Sequence, residues 1–491
     1  MRLETLLEGL NYDVVQGNIE HDVTAVVFDS RKVIPGCLFI CIEGARNDGH
    51  TYAVQAALQG AAAVIVQKPV QYPQNTDTVF IKVDNSRYAM AFISAAWFGH
   101  PADKLKIIGI TGTKGKTTTS YLIRSVLEKA GHKVGLVGTI EIIIGERHIH
   151  AMNTTPESYM LQEYFADMVK EGCDTVVMEV SSQGLKLHRT QGFLFDYGIF
   201  TNLEEDHIGP NEHADMNEYM YCKGLLFKQC RVGMANSDDR HMEQVMQGHT
   251  CTLETFGIDK KADLMAEDLK MMHEGGTLGT GFHVSGLMDF DAQTATPGKF
   301  SVYNALAAIA VCRHFDVPVP VICDALRTTH VRGRIEPVHV SDDFTLIIDY
   351  AHNAMALESL LSTLRAYHPG RIVCLFGCGG DRSKLRRFEM GEVSGKMADL
   401  TIITSDNPRT EKPEDIIADI RTGIKRTNGR FVEICDRKEA IAYAIHNGLP
   451  GDIIVLAGKG HEDYQEINGV RYHMDERELI RDILKETVNK V

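Results

Sequence analysis

The sequence predicts an α/β protein of about three domains. One observation is a strand, a glycine turn and a helix read in succession over residues 105–127. A second is the last third of the chain, where short apolar runs alternate with helical stretches, as in a parallel, doubly wound sheet. The third is size: 491 residues at 44% hydrophobic composition can fill several cores, more than one domain needs.

The first segment, 1–103, carries short strands at 25–28, 38–42, 63–66 and 79–83, with helices near 52–59 and 87–98. Pro101 marks its end. Asp29-Ser30-Arg31 follows a strand, and residues 44–50 form a polar glycine loop containing Asn47 and Asp48. Both put polar side chains at strand ends, where α/β domains bind ligands.

The second segment, 104–335, opens with an apolar strand (Leu105, Ile107, Ile108, Ile110). Residues 109–119 then read Gly-Ile-Thr-Gly-Thr-Lys-Gly-Lys-Thr-Thr-Thr. The helix that follows has an apolar face of Leu122, Ile123, Val126 and Leu127, and Gly131 is placed to stop it. Strand, loop and helix N-terminus make a phosphate cradle, in which backbone N–H groups and the helix dipole attract an anion. Lys116 reaches the terminal phosphates and Thr117 is placed to ligate magnesium, so ATP is the expected nucleotide. The generic spacing of four residues before Gly-Lys is not met literally, because Gly109 sits one residue too far out and Gly112 two too near. The sharper Gly-Thr-x-Gly-Lys-Thr is met. Further strands are expected at 175–180 and 197–202, antiparallel ones at 277–284 and 287–290, and a helix at 302–314.

The third segment, 336–491, has strands at 345–349, 372–376, 400–404 and 453–456. Its glycine loop, Gly377-Cys378-Gly379-Gly380, is a weak one. Three α/β segments with one nucleotide cradle suggest a protein that presents a separate substrate to ATP.

A net charge of −15 repels nucleic acid and anionic membranes, and it requires any nucleotide site to be locally positive or metal-assisted. No apolar run approaches the ~18 residues of a membrane span. The opening Met-Arg-Leu-Glu-Thr has no apolar signal core. Eleven scattered cysteines without zinc-site spacing read as reduced, buried thiols, which points to the cytoplasm.

Glu179 ends a strand beside the phosphate loop, where a nucleotide magnesium finds its protein ligand. His207 follows another strand and is a candidate for a second metal. Lys223 carries no signal of its own. In the third segment, Asp349-Tyr350-Ala351-His352, Arg382 and Asp406-Asn407-Pro408-Arg409 all follow strands. Pro408 stiffens its turn. Two arginines at strand ends of one sheet can hold two carboxylates by paired hydrogen bonds.

Taken with Asn153-Thr154-Thr155-Pro156, Glu179-Val180-Ser181-Ser182, Asp206-His207, Gly333-Arg334-Ile335-Glu336 and Gly458-Lys459-Gly460-His461-Glu462, these motifs resemble, in order and spacing over nearly the whole chain, the Mur ligase family of its MurE type. The resemblance implies three domains: a UDP-MurNAc substrate-binding domain at 1–103, a central P-loop ATP-binding domain at 104–335 and a C-terminal Rossmann-like amino-acid-binding domain at 336–491. It implies a monomeric, ATP- and Mg2+-dependent ligase of peptidoglycan precursors that adds meso-diaminopimelate to UDP-MurNAc-L-Ala-D-Glu through an acyl phosphate. ATP would be held by Gly112, Thr113, Lys114, Gly115, Lys116, Thr117 and Thr118, with Asn304, Arg334, Asp349 and His352. Ser30, Asn47, Asp48, Asn153, Thr154, Thr155, Ser181 and Arg189 would contact the UDP-muramoyl substrate. Arg382, Asp406, Asn407, Pro408, Arg409, Gly458 and Glu462 would bind the amino acid. Lys116, Glu179, His207 and Lys223 would be catalytic. Metal would be held by Thr117, Glu179, His207 and Lys223, the lysine as a carbamate. Asp-Asn-Pro-Arg goes with diaminopimelate in the family, since a buried arginine suits its distal carboxylate and repels the ammonium of lysine.

The chain departs from the family pattern at Lys114 (usually Asn), whose charge either favours phosphate or faces solvent. It also departs at Leu187 (often Gln), at Asn353-Ala354 (usually Thr-Pro) and in the loop 208–213. Rival readings are the same ligation with lysine or another diamino acid, a different step of the same ligase family, a non-ligating nucleotide-binding regulator, and a plain P-loop hydrolase. The last leaves Asp-Asn-Pro-Arg and the whole third segment unexplained.

Overall fold

The computed structural model describes the chain except residues 45–46, 207, 210–211, 275–276 and 489–491. The chain divides into two compact units, Met1–Leu264 with Leu306–Pro318, and Met265–Ala305 with Val319–Val491.

The first unit holds two sheets. The N-terminal sheet runs Tyr12–Gln16, Val79–Val83, Ala63–Val66, Cys37–Ile40, Ala25–Val27, parallel except for its first pair. Alternate residues of its strands face opposite ways: Leu38, Ile40 and Ile65 pack on the helix Ser86–Trp97, while Phe39, Val64 and Val66 pack on Ala53–Leu58. Trp97, half-buried, joins the first of these cores. The strand Tyr12–Gln16 is absent from the sequence reading because its side chains are mostly exposed, so it lacks an apolar signature.

In the second sheet the strands Thr252–Gly257, Cys230–Asn236, Phe195–Phe200, Lys106–Thr111, Thr175–Glu179 and Val134–Val137 are neighbours in that order and parallel. The antiparallel strands Glu141–Ile144 and Arg147–His150 extend it. Lys106–Thr111 therefore lies between Thr175–Glu179 and Phe195–Phe200, and all three end at the same edge. This brings the phosphate loop, Glu179 and residues 201–204 together, as ligand sites form at the carboxyl ends of parallel strands.

In the second unit Thr277–Gly286 and Phe290–Thr294 pair antiparallel. The strand expected at 287–290 is corrected: Gly286, at φ 96°, turns the chain, and the strand starts at Phe290. The helix expected at 302–314 is Lys299–Cys312. The last sheet runs Glu336–Val338, Thr345–Asp349, Ile453–Ala457, Ile372–Phe376, Leu400–Ile403, Phe431–Glu433, antiparallel at its first pair and parallel thereafter. One face, with Ile347, Cys374 and Val455, packs on the helices Ala354–Arg365, Lys384–Met397 and Pro413–Ile424. The other, with Ile348, Val373 and Ile454, packs on Arg437–His446 and Glu476–Val488. This is the doubly wound arrangement expected. The eleven cysteines are all free thiols, nine of them buried.

Candidate active site

The phosphate loop is shaped by glycine. Gly112 has φ 151°, and a Cβ there would sit 1.9 Å from Thr201 Oγ1. Gly115, at φ 85°, leads into the helix Lys116–Lys129. Behind that helix Gly131, at φ 97°, donates to Glu128 O, the expected stop. The loop is stitched to residues 201–204. Thr201 Oγ1 and Asn202 Nδ2 both donate to Lys114 O, at 2.7 and 3.0 Å, and Asn202 Oδ1 accepts from Lys114 N at 2.9 Å. These bonds take the two residues that the sequence assigns to the end of a strand. Lys116 Nζ donates to Gly112 O at 2.8 Å and Thr113 O at 3.1 Å. The Lys114 ammonium meets Glu204 Oε2 at 2.5 Å, so it is paired with a carboxylate rather than simply solvent-facing.

Glu179 is 1% exposed. Its Oε2 accepts from Thr117 Oγ1 and Thr139 Oγ1, both at 3.0 Å, and its Oε1 from Thr139 N at 2.8 Å. Thr139 Oγ1 also lies 3.0 Å from Thr154 Oγ1. A buried carboxylate ringed by hydroxyls offers only hard oxygen donors, the set that suits magnesium. Lys223, also 1% exposed, donates to Gly112 O at 2.9 Å and stands 4.5 Å over the Tyr219 ring. Burial, and then the nearby Lys116 ammonium, push it well below the usual lysine value. A buried lysine that, among the described residues, has no carboxylate in hydrogen-bond contact is the residue that composition could not reveal. His207 lies outside the described residues.

Beyond Glu179, Thr155 Oγ1 donates to Glu179 O at 3.1 Å and accepts from Ser181 N at 2.9 Å. Ser181 caps the helix Ser182–Lys186, accepting from Gly184 N at 3.0 Å. Arg189 donates to Thr155 O at 2.9 Å and to Glu157 Oε1 at 2.7 Å, while Arg87 takes Glu157 Oε2 at 2.7 Å. Asn153 is exposed and Thr154 half-buried; Leu187 ends the short helix and is half-buried. In the N-terminal sheet, Ser30 opens a 3-10 turn after Ala25–Val27, half-buried, and Asn47 is exposed. Asp48 accepts from His50 N and Nδ1, at 3.0 and 2.6 Å, and from Lys68 at 3.0 Å. Partial burial opposes its charge, but these bonds outweigh that and hold it at about 2. Asp48 is thus tied into the loop itself.

In the second unit, Asp406, Asn407, Arg409, Arg382, Gly458, Glu462 and His352 line one pocket of about 140 Å³, formed at the carboxyl ends of the parallel strands. Pro408 is not among its lining residues and packs against Gly380, where a Cβ would stand 1.9 Å from the Pro408 carbonyl. Arg409 Nη1 donates to Gly380 O at 2.6 Å and Nε lies 3.6 Å from Glu466 Oε2. Asn407 Nδ2 donates to Glu462 Oε2 at 2.9 Å. Asp406 Oδ1 accepts from Asn407 N at 2.7 Å. Gly458, at φ 105°, leaves only 3.1 Å between a Cβ and Asp406 Oδ2. The sequence reading missed Arg386 and Arg387, which share this pocket. Arg387 is 1% exposed and bidentate to Glu411, at 2.8 and 2.6 Å. Its hydrogen bonds hold Glu411 at about 2. The run Arg-Ser-Lys-Leu-Arg-Arg at 382–387 is the signal that was available.

Asn304 is buried at 4% exposure. Arg334 stacks 4.7 Å over the Tyr350 ring. Asp349 Oδ2 accepts from Ile335 N and Oδ1 from Ala351 N, each at 2.8 Å, while burial raises its pKa. His352 Nδ1 donates to Tyr350 O at 2.9 Å and is exposed. No helix of the described residues is long and apolar enough to cross a membrane.

Three family models match in succession: the Mur ligase family catalytic domain at 22–98, the Mur ligase middle domain at 110–312 and the Mur ligase glutamate ligase domain at 333–460. Similar proteins from Caldanaerobacter subterraneus subsp. tengcongensis and Clostridium perfringens, both named UDP-N-acetylmuramoyl-L-alanyl-D-glutamate--2,6-diaminopimelate ligase, are 44% and 41% identical. Each alignment covers 99% of this chain and all of the relative. A solved structure of a ligase of that name aligns over 99% of both chains at 29% identity and a TM-score of 0.73. MurF from Thermotoga maritima, solved in complex with ADP, shares the fold at 18% identity and a TM-score of 0.61, over 95% of this chain and 98% of that one.

Proposed function

Since the chain belongs to the Mur ligase family, we propose that this ATP-dependent ligase joins meso-2,6-diaminopimelate to the D-Glu carboxyl of UDP-MurNAc-L-Ala-D-Glu in the cytoplasm, as a monomer. The observation that carries the choice of amino acid is the pocket where Arg382, Arg386 and Arg409 face Asp406, Asn407 and Glu462. Diaminopimelate brings two carboxylates and two ammonium groups. Guanidiniums pair with the former and carboxylates with the latter. Lysine would leave one arginine cluster facing an ammonium.

The segments 1–103, 104–335 and 336–491 would hold the UDP-muramoyl substrate, ATP and the amino acid respectively. In the first, Ser30, Asn47 and Asp48 would meet the UDP end. Asn153, Thr154, Thr155, Ser181 and Arg189 would line the path to the D-Glu carboxylate. That carboxylate attacks the γ-phosphate of ATP, giving an acyl phosphate and ADP. The amine of diaminopimelate then attacks the acyl carbon and phosphate leaves.

Lys116 offsets charge on the transferring phosphoryl group, which requires it to leave the loop carbonyls it now bonds. Magnesium would be held by Thr117 and Glu179 with His207 and Lys223, and when bound would supply positive charge to the same group. Lys223 would serve as a carbamate. A buried amine pushed toward its neutral form can add to carbon dioxide, releasing one proton and gaining a carboxylate. Asn304, Arg334, Asp349 and His352 would complete the nucleotide's surroundings.

Incubation with UDP-MurNAc-dipeptide, ATP, magnesium and a panel of amino acids tests the proposal, with mass spectrometry of the product. Diaminopimelate product together with ADP is expected; faster use of lysine overturns the specificity. ATP turnover in the absence of the amino acid and the UDP substrate would favour a hydrolase instead.

A further inference from the structure

Lys459 is fully buried, and its side chain bonds two residues that line the amino-acid pocket, Asn407 and Glu462. It lies between Gly458 at φ 105° and Gly460 at φ 53°; a Cβ on Gly460 would stand 2.7 Å from Tyr350 Cβ. This tight turn, which other residues adopt only under strain, aims the lysine inward. Its ammonium donates to Asn407 Oδ1 at 3.0 Å, to Glu462 Oε2 at 2.9 Å and to the Tyr464 carbonyl. A lysine ammonium has three protons, and all three are used.

The consequence falls on the two pocket residues it touches. Asn407 Oδ1 also accepts from Glu466 N at 2.9 Å, so both lone pairs of the amide oxygen are taken. The amide is thereby prevented from flipping, and Nδ2 is turned toward Glu462. Glu462 Oε2 takes two donors, Lys459 and Asn407, which leaves Oε1 free of both. We propose that Lys459 is a positioning and specificity-determining residue for the amino-acid substrate, locking Asn407 as a donor and Glu462 as a single-oxygen acceptor in the pocket. Lys459 does not touch substrate. It sets which polar atoms the pocket presents, and it offsets one charge of Glu462 so that the pocket does not favour every cation.

The inference rests on the diaminopimelate reading, and the experiment separates the two. Wild-type enzyme, K459M and the double variant K459M/E462Q are assayed with each of the three substrates varied in turn. Calorimetric binding of meso-diaminopimelate to the full chain is measured beside them. In K459M the KM for diaminopimelate is expected to rise at least tenfold, with the KM values for ATP and the UDP substrate within twofold of wild type. Preference for diaminopimelate over lysine is expected to fall by a similar factor. The double variant removes both charges, so it avoids the orphaned carboxylate that could unfold K459M. It should fold while still binding diaminopimelate at least tenfold more weakly. Unchanged amino-acid KM and binding in the folded variants, or an equal rise in all three KM values, overturns the positioning role. A wild-type enzyme that does not use diaminopimelate overturns the underlying reading instead.

Discussion

Arg409 adopts φ 52°, a left-handed backbone that a long side chain takes only when its surroundings hold it there. The hold is visible. Its N–H donates to Glu466 O at 3.0 Å and its carbonyl accepts from Asn468 N at 2.7 Å. The motif Asp-Asn-Pro-Arg was legible in the sequence as a turn with a fixed arginine. That Arg386 joins Arg382 and Arg409 in one pocket was not, because it lies inside a helix pattern that gives no sign of which face meets the pocket. Arg409→Ala should raise the KM for diaminopimelate by about two powers of ten, as expected when a bound carboxylate loses a desolvated partner worth about 3 kcal/mol. Steady-state kinetics with each substrate varied would check it; an unchanged KM would place the distal carboxylate elsewhere. Lys223 illustrates the opposite case: the sequence shows an ordinary lysine, and only burial reveals an amine whose pKa is pushed well below the usual lysine value. Activity should fall in buffers stripped of carbon dioxide and return with bicarbonate. Lys223→Met should be inactive in both, and a wild type indifferent to bicarbonate would remove the carbamate from the proposal.

At the scale of elements, the phosphate loop was read nearly whole from one stretch of sequence, because a local motif carries its own geometry. Gly112 shows why: a Cβ 1.9 Å from Thr201 Oγ1 has no room. The loop's anchorage to Asn202 and Glu204 was invisible, since it depends on a neighbouring strand ninety residues away in sequence. In the second unit the helices Lys384–Met397 and Pro413–Ile424 pack through glycine. A Cβ on Gly423 would meet Phe388 O at 2.0 Å, and one on Gly391 would meet Ile420 O at 2.2 Å. Gly423→Ala should therefore force the helices apart and cost about 1–3 kcal/mol, read as a lower denaturant midpoint. A midpoint equal to wild type would mean that the helices separate freely. Neither Gly391 nor Gly423 announces itself in sequence, where each merely weakens a helix pattern.

For the whole molecule, acid stability follows from paired carboxylates. Arg387 holds Glu411 at about 2, against an ordinary 4.5. Asp48 is likewise held at about 2, against 3.8. In both, the folded state binds its proton less readily than the unfolded chain. The stabilisation they give is full above the ordinary values and is lost as pH falls through them toward about 2. Circular dichroism from pH 7 to 2 should show stability declining below about pH 4.5. Arg387→Met takes the guanidinium from Glu411 and Asp419 and returns Glu411 toward its ordinary value, so it should lower stability at pH 7 and flatten that decline. A titration curve identical to wild type would contradict the pairing.

By itself the sequence determined the α/β class, the alternating strands and helices, the nucleotide loop and the family motifs. Each of these is written in a short window, as a period or a fixed spacing that backbone geometry alone interprets. Tertiary structure alone decided that Glu179 is buried under hydroxyls, that Lys223 is buried and donates to the Gly112 carbonyl, that Lys114 meets Glu204, and that Lys459 bonds Asn407 and Glu462. Those facts are matters of solvent exclusion and of contact between residues distant in the chain. Charge state and hydrogen-bond orientation follow from surroundings, and surroundings exist only once the sheets have formed.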